Sequence, residues 1–309
     1  MSASTVTSHI PGINDEALAR AFEPYVLESF DLQDPRWVAR VAHVAGKMSR
    51  PPKPAHKGLT SDGIRNVETV GDLYSELWSE VNLADQLQST RSLWFEWCGR
   101  GVRARAIGYK RVVHLYLAQA IEWLKPESVI EVGFGWGVNL LTLAVQLPQV
   151  RFGGIELTDS GVQTARRLAA DGTTPDLLMD FALDGVHDAS ALNRLDLRQG
   201  SADAIPLPDK SVDMVFTVLA LEQMDRIRES TLRELARVAR RHVVMIEPFR
   251  EWNADGPRRE FIRRYDYWSA AIADLPAFGL VPVAATTALP QKLTFHAGMV
   301  IAEVAAGRR

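Results

Sequence analysis

The chain has 309 residues, and its 35 basic against 38 acidic side chains leave a net charge of −3. That near balance gives no global pull toward nucleic acid or an anionic membrane surface. A hydrophobic fraction of 47% excludes a chain that is disordered throughout. The length suffices for one large domain and an accessory segment. Cys98 is the lone cysteine and so cannot form an internal disulfide. It is expected as a small buried apolar side chain and fits a cytoplasmic protein. No run reaches the length of a membrane-spanning helix. The start, Met1 to Thr7, has no basic region followed by an apolar core, so no secretory leader is expected.

From Ile13 to Met48 the pattern is helical, with Leu18, Ala21, Phe22 and Val26 at three- and four-residue spacing. Arg50-Pro51-Pro52-Lys53-Pro54 breaks it and predicts a linker or extended crossing. Ser92 to Trp97 holds Trp94, Phe95 and Trp97, which could line a substrate pocket or pack a helical cap onto the core. Tyr109 to Leu124 predicts an amphipathic helix leading into the next element. Residues 1–108 are thus expected as an N-terminal helical cap, and 109–309 as the main domain.

Val129-Ile130-Glu131-Val132 predicts a buried strand ending beside an acidic residue. Gly133, Gly135 and Gly137 follow at alternate positions, and then a helix-forming run from Asn139. Glycine there permits positive φ and lets a ligand approach the main chain, and the helix start offers unpaired N–H groups. The spacing differs from a dinucleotide G-x-G-x-x-G fingerprint, because the third glycine comes one residue early. Val150 to Leu157 predicts a second strand closing on Glu156. A carboxylate there can accept both ribose hydroxyls of an adenosine. The loop from Ala170 to Leu195 is long for this kind of connection and predicts an extra helix near Leu177 to Leu183.

Gly200-Ser201-Ala202-Asp203-Ala204-Ile205-Pro206-Leu207-Pro208-Asp209 precedes a strand over Val212 to Phe216. Its prolines stiffen the loop. Leu219-Ala220-Leu221-Glu222-Gln223 follows that strand. A helix is expected over Leu232 to Arg240, and a strand from His242 to Pro248 ends at Glu247. Two apolar runs, Phe278 to Ala284 and Ala297 to Val304, are joined by Thr286 to Lys292. Alternating strand and helix imply a parallel sheet with helices on both faces.

Taken together, E-x-G-x-G-x-G, the acidic end of the second strand and the G-x-A-D-x-I-P-L-P-D run resemble the class I S-adenosylmethionine-dependent methyltransferases, over about residues 110 to 305. The resemblance implies a Rossmann-like, doubly wound, mostly parallel sheet with a C-terminal antiparallel hairpin. The cofactor it implies is S-adenosylmethionine. The motif glycines Gly133, Gly135 and Gly137 would pass its methionine part, Glu131 its amino group and Glu156 its ribose. Ser201 stands where the family more often has an aspartate for the adenine amino group, with Ala202 and Asp203 beside it. The loop opened by Leu219 faces cofactor and substrate in the family, and Glu222 and Gln223 stand where two histidines often stand. The helix around Tyr74 resembles one that closes over the cofactor.

Methyl transfer from a sulfonium needs neither metal nor covalent nucleophile, and no metal site is expected. Glu222 is the first candidate for general base, with Gln223; both could instead be hydrogen-bonding walls that position the substrate. His114, His187 and His296 fall in no motif and lack metal-ligand spacing. Arg258 to Tyr265 could bind a substrate carboxylate or phosphate, or form a solvated helix face. A small-molecule acceptor is the first expectation, methylated on oxygen, nitrogen or carbon. An RNA or protein methyltransferase, or a protein that binds S-adenosylmethionine without catalysis, is the alternative; a dehydrogenase stands further off. A homodimer is left open.

Overall fold

The computed structural model describes residues 6–50, 65–183 and 186–305. The expected proline-rich linker lies outside these from Pro51 onward. Before the main sheet run α1 (Asp15–Phe22), β1 (Val26–Phe30), α2 (Pro35–Met48), α3 (Val67–Ser79), α4 (Leu83–Gln88), β2 (Ser92–Trp97) and β3 (Arg100–Arg105). Next come α5 (Ala106–Leu124), β4 (Ser128–Val132), α6 (Val138–Gln146), β5 (Arg151–Glu156), α7 (Asp159–Ala170), α8 (Thr174–Phe181) and β6 (Asp196–Gln199). The remainder is β7 (Val212–Val218), α9 (Arg228–Val238), β8 (Ala239–Glu247), α10 (Gly256–Arg264), β9 (Leu280–Thr286), β10 (Gln291–Lys292) and β11 (Gly298–Val304).

The main sheet has the order β6-β5-β4-β7-β8-β11-β9. Strands β6, β5, β4, β7 and β8 pair in parallel, whereas β11 runs antiparallel to both β8 and β9. This is the expected doubly wound sheet with its terminal hairpin. Alternate residues of β4 feed opposite faces: Val129 joins the core under α5 and α6, while Ile130 and Val132 join the core under α9. The chain leaves β4 in one direction to β5 and β6, and returns to β4's other side as β7 and β8. The crevice at β4's carboxyl end is therefore the switch point where open α/β sheets place ligands.

The N-terminal segment departs from an all-helical cap. It holds helices α1 to α4, but β1, β3 and β2 form a second, antiparallel sheet completed by β10 from the chain's other end. The sequence pattern explains the difference. Pro24 interrupts the helical spacing, so Val26 opens a strand instead of continuing a helix. Leu93, Phe95 and Trp97 alternate with polar or half-exposed neighbours, a period-two pattern that puts Phe95 in the core. Cys98 is exposed, not buried: with Gly99 it forms a two-residue hairpin turn, both at positive φ (49° and 70°).

Helix α5 begins at Ala106, so the expected boundary at residues 108 and 109 falls inside its first turn. It is buried on nearly all sides rather than amphipathic, because it is packed among α1, α6 and β3. The extra helix in the long connection is α8. No described helix is long and apolar enough to cross a membrane.

Candidate functional site

The turn after β4 uses its glycines as expected. Gly133, Gly135 and Gly137 have φ of 76°, 58° and 91°, a region that strains residues with a Cβ. A Cβ on Gly133 would meet the Ala220 Cβ at 2.6 Å, and one on Gly135 the Trp78 ring at 3.1 Å. Gly137 is the N-cap of α6 and provides no side chain to its first turn. The helix start therefore keeps free N–H groups facing the crevice.

Glu131 points to the α5 and α6 face, where it is 1% exposed. Its Oε1 accepts from Asn139 Nδ2 at 2.7 Å, and Oε2 has no partner among the described residues. Burial pushes its carboxyl up to about 8. Lys110, on α5, stacks over the Trp136 ring at 5.2 Å and is pulled down to about 8 by burial, with Glu131 opposing that shift. An acid with one oxygen unpartnered among the described residues and a desolvated amine thus flank one pocket, which complements the two charges of an amino-acid zwitterion. Sequence reasoning missed Lys110, which lies on an element that carries no motif.

Glu156 is tied into the turn. Its Oε2 accepts from the Gly135 amide at 2.9 Å; its Oε1 accepts from the Thr158 amide at 3.0 Å and hydroxyl at 2.8 Å. Burial raises its carboxyl despite these donors. On the next loop, Gly200 and Ala202 face the main cavity, whereas Ser201 bonds to Asp203 and borders a small adjoining pocket with Arg65 and Asn66.

Leu219 sits just beyond β7 at φ 49°, a conformation unusual for leucine, and lines the cavity. Glu222 and Gln223 are both buried, yet only Gln223 is on the cavity wall. Glu222 lies behind it and accepts from Gln223 Nε2 at 2.8 Å, while Arg65 donates to Gln223 Oε1. Arg65 is itself buried over the Tyr267 ring at 4.6 Å. Glu247, at the end of β8, accepts from the Ala220 and Leu221 amides at 3.1 and 3.2 Å. Its carboxyl is pushed up to about 8 by burial and then by the nearby Glu222 charge.

Glu131, Gly133, Gly135, Glu156, Leu219 and Gln223 border one cavity of about 400 Å³, a size suited to a small ligand. The N-terminal segment roofs it with Val70, Tyr74 and Trp78 from α3 and Leu93 from β2; Tyr109 from α5 and Lys292 from β10 complete the wall. Tyr74 stacks on Trp78, with ring centroids 5.3 Å apart. The histidines stand apart from this wall. His114 bonds to Gln146 and is held down at about 4 by burial; His187 and His296 do not line the cavity either. On α10, Glu260 pairs with Arg263 and Arg264, and none of the three lines the cavity. Among the described residues no cluster of His, Cys, Asp or Glu could hold a metal.

A doubly wound sheet with a glycine turn and strand-end carboxylates at the switch point defines a Rossmann-like enzyme that holds an adenosine-type cofactor. Residues 130–246 match the family described as a methyltransferase domain. The match supports a class I S-adenosylmethionine-dependent methyltransferase domain over these residues, with S-adenosylmethionine as its cofactor. No curated protein matches the sequence. Among solved structures, the [4+2]-cyclase SpnF is similar at 13% identity and a TM-score of 0.50, over 78% of this chain and 98% of that one. Geranyl diphosphate C-methyltransferase from Streptomyces coelicolor A3(2) is similar at 11% identity and a TM-score of 0.47, over 75% and 98%. A SAM dependent methyltransferase from Aquifex aeolicus is similar at 20% identity and a TM-score of 0.40, over 58% and 82%. At these identities the likeness concerns the fold.

Proposed function

We propose that this methyltransferase acts on a small-molecule acceptor, enclosed between the sheet's switch point and the N-terminal segment, residues 1–108. The observation that carries this reading is the shared cavity: the glycine turn, Glu131 and Glu156 line it together with Tyr74, Trp78, Tyr109 and Lys292. A roof of that kind excludes water and admits a compact acceptor. The net charge of −3 gives no basis for retaining a nucleic acid.

The residues fit the cofactor. Glu131 Oε2, without a partner among the described residues, would take an ammonium, and Lys110 a carboxylate. Glu156 Oε2 receives one donor, so it keeps a lone pair for a ribose hydroxyl; the Thr158 hydroxyl can turn to free another on Oε1. Gly200 and Ala202 give a flat wall for adenine, and Ser201 with Asp203 offers hydrogen-bonding atoms beside it.

Bound S-adenosylmethionine supplies an electrophilic methyl group on a sulfonium. What the chain adds is alignment, which accounts for up to ~7–11 kcal/mol in favourable cases. Gln223 faces the acceptor, with Glu222 and Arg65 fixing the two ends of its amide. Glu222 then acts as a positioning residue through Gln223. No metal takes part in this reading. Titration of the protein with S-adenosylhomocysteine, followed by a mass-spectrometric search of metabolite extracts for a gain of one CH₂, tests it. Calorimetric binding and a methylated small molecule are expected. Methyl transfer confined to RNA or protein would overturn the small-molecule assignment.

A further inference from the structure

Among the described residues, two buried side chains of the cavity wall keep a polar atom without a hydrogen-bond partner, Glu131 and Tyr109. In the reading above the cofactor's ammonium completes Glu131. The Tyr109 hydroxyl has no such use. Tyr109 is 6% exposed, and a hydroxyl buried in that state has given up water without gaining a bond, at a cost to stability. A ligand that enters the cavity and accepts from it removes that cost.

Helix α5 fixes where that hydroxyl stands. Ala106, Tyr109, Lys110 and Val113 recur at helical spacing, and all four line the cavity. Gly108 lets the helix press onto the chain before β1, since a Cβ there would meet the Tyr25 Cβ at 2.6 Å. The Tyr109 ring lies parallel to that of Phe95, with centroids 6.0 Å apart and planes within 2°. Phe95 is itself fully buried, so helix and ring are both held by packing. Lys110, the next residue, stands with Glu131 and Trp136 at the methionine end of the cofactor site, and Tyr109 adjoins that end. Burial holds the Tyr109 phenol well above the ordinary tyrosine range, and the charges of Glu222 and Glu247 push the same way. The group therefore stays protonated at neutral pH and donates.

We propose that Tyr109 selects the methyl acceptor: its hydroxyl donates to an oxygen of a small molecule whose remaining body is apolar. Leu93, Ala106, Val113 and Trp136 line the same cavity and give that body its wall. Gln223 meets the acceptor from the loop after β7 and Tyr109 from α5, so two polar contacts on separate elements fix its orientation. An analogue without the oxygen leaves the hydroxyl stranded, which is how a buried donor discriminates. This inference rests on the methyltransferase reading, and its test separates the two.

Acetophenone and α-methylstyrene provide the test, because they share a shape and only the first carries an oxygen. Each is titrated by ligand-observed NMR into the protein, both alone and saturated with S-adenosylhomocysteine. The saturated protein is expected to bind acetophenone about tenfold more tightly than α-methylstyrene. Tyr109→Phe should cut that preference to about twofold or less, with S-adenosylhomocysteine affinity changed by less than about twofold. The same substitution should raise the urea midpoint of the ligand-free protein, since it removes a hydroxyl that nothing there completes. Absence of acetophenone binding, equal binding of the two probes, or a preference that survives Tyr109→Phe overturns the proposal. So does a lowered urea midpoint, which would give the hydroxyl a partner within the fold, or a large loss of S-adenosylhomocysteine affinity, which would assign it to the cofactor. Failure of S-adenosylhomocysteine to bind the unsubstituted protein overturns the cofactor reading instead, and the titrations without it still decide whether Tyr109 holds an oxygen.

Discussion

The Gly135 amide donates to the Glu156 carboxylate at 2.9 Å, so the residue that closes β5 also fixes the middle glycine of the turn after β4. One acid therefore shapes the turn and offers its remaining lone pair to a ribose. Glu156→Ala removes both contributions and leaves the Gly135 and Thr158 amides without their acceptor. It is expected to weaken S-adenosylhomocysteine binding at least tenfold, about 1.4 kcal/mol. Glu156→Gln keeps an acceptor oxygen and should lose less. Gly135→Val forces a branched side chain to φ 58° and into the Trp78 ring, with a loss at least as large. Calorimetry on variants with native circular dichroism is the check; wild-type affinity in either Glu156→Ala or Gly135→Val would remove this crevice as the cofactor site.

Burial gives the ligand-free protein an unusual pH response. Glu131 and Glu247 titrate at about 8, against an ordinary 4.5. Between those values the folded chain keeps protons that the unfolded chain has released, so stability falls as pH rises. The slope approaches at most about 1.4 kcal/mol per pH unit for each group. Glu131→Gln should flatten it, as read from urea midpoints between about pH 5 and about pH 8. Cofactor affinity should move the other way, since an ammonium is held by the ionised Glu131. Tighter S-adenosylhomocysteine binding with rising pH, accompanied by proton release, is expected. A pH-independent affinity would sink the assignment of Glu131 to the ammonium.

Asp213 holds the register of the central parallel pair. Its Oδ2 accepts from the Glu127 and Ser128 amides and the Ser128 hydroxyl at 3.0 to 3.1 Å, and Arg240 pairs with Oδ1. Burial works against its charge, yet these donors from Glu127, Ser128 and Arg240 hold its carboxyl below the ordinary range. Its contribution is therefore present above the ordinary carboxylate value and lost as pH falls through the folded one. Asp213→Ala should cost about 3 kcal/mol, since it strands buried donors at the start of β4. A urea midpoint close to wild type at neutral pH would show that the loop shares those donors with water.

The parts legible in the sequence are those whose chemistry is local to the backbone. Gly133, Gly135 and Gly137 announce a turn because only positive φ explains their spacing, and Glu131 and Glu156 stand at strand ends within the same short segments. Tyr109, Lys110 and Lys292 are different. They reach the cavity from a buried helix and from a two-residue strand, and only tertiary packing brings them there. Strands β1 to β3 were hidden for a related reason: Val26 and the aromatics of Ser92 to Trp97 satisfy helical and extended spacing alike over so short a run. Pro24 and the Cys98-Gly99 turn were the signals that could have separated the two.

Gln223 and Glu222 divide one task in a way that kinetics can expose. Gln223 is on the wall and Glu222 behind it, joined by a 2.8 Å hydrogen bond. Gln223→Ala should lower kcat about tenfold or more while S-adenosylhomocysteine affinity stays within about twofold, because the acceptor loses alignment and the cofactor does not. Glu222→Gln leaves a carbonyl able to receive the Gln223 amide, so a positioning role predicts a smaller loss and an unchanged pH profile. A general base would behave otherwise: its loss costs ~10²–10⁴-fold and erases the acidic limb of kcat/KM. Profiles measured on both variants with the identified acceptor decide between these roles. Disappearance of the acidic limb in Glu222→Gln would return Glu222 to the position of base, with Gln223 the group that orients it.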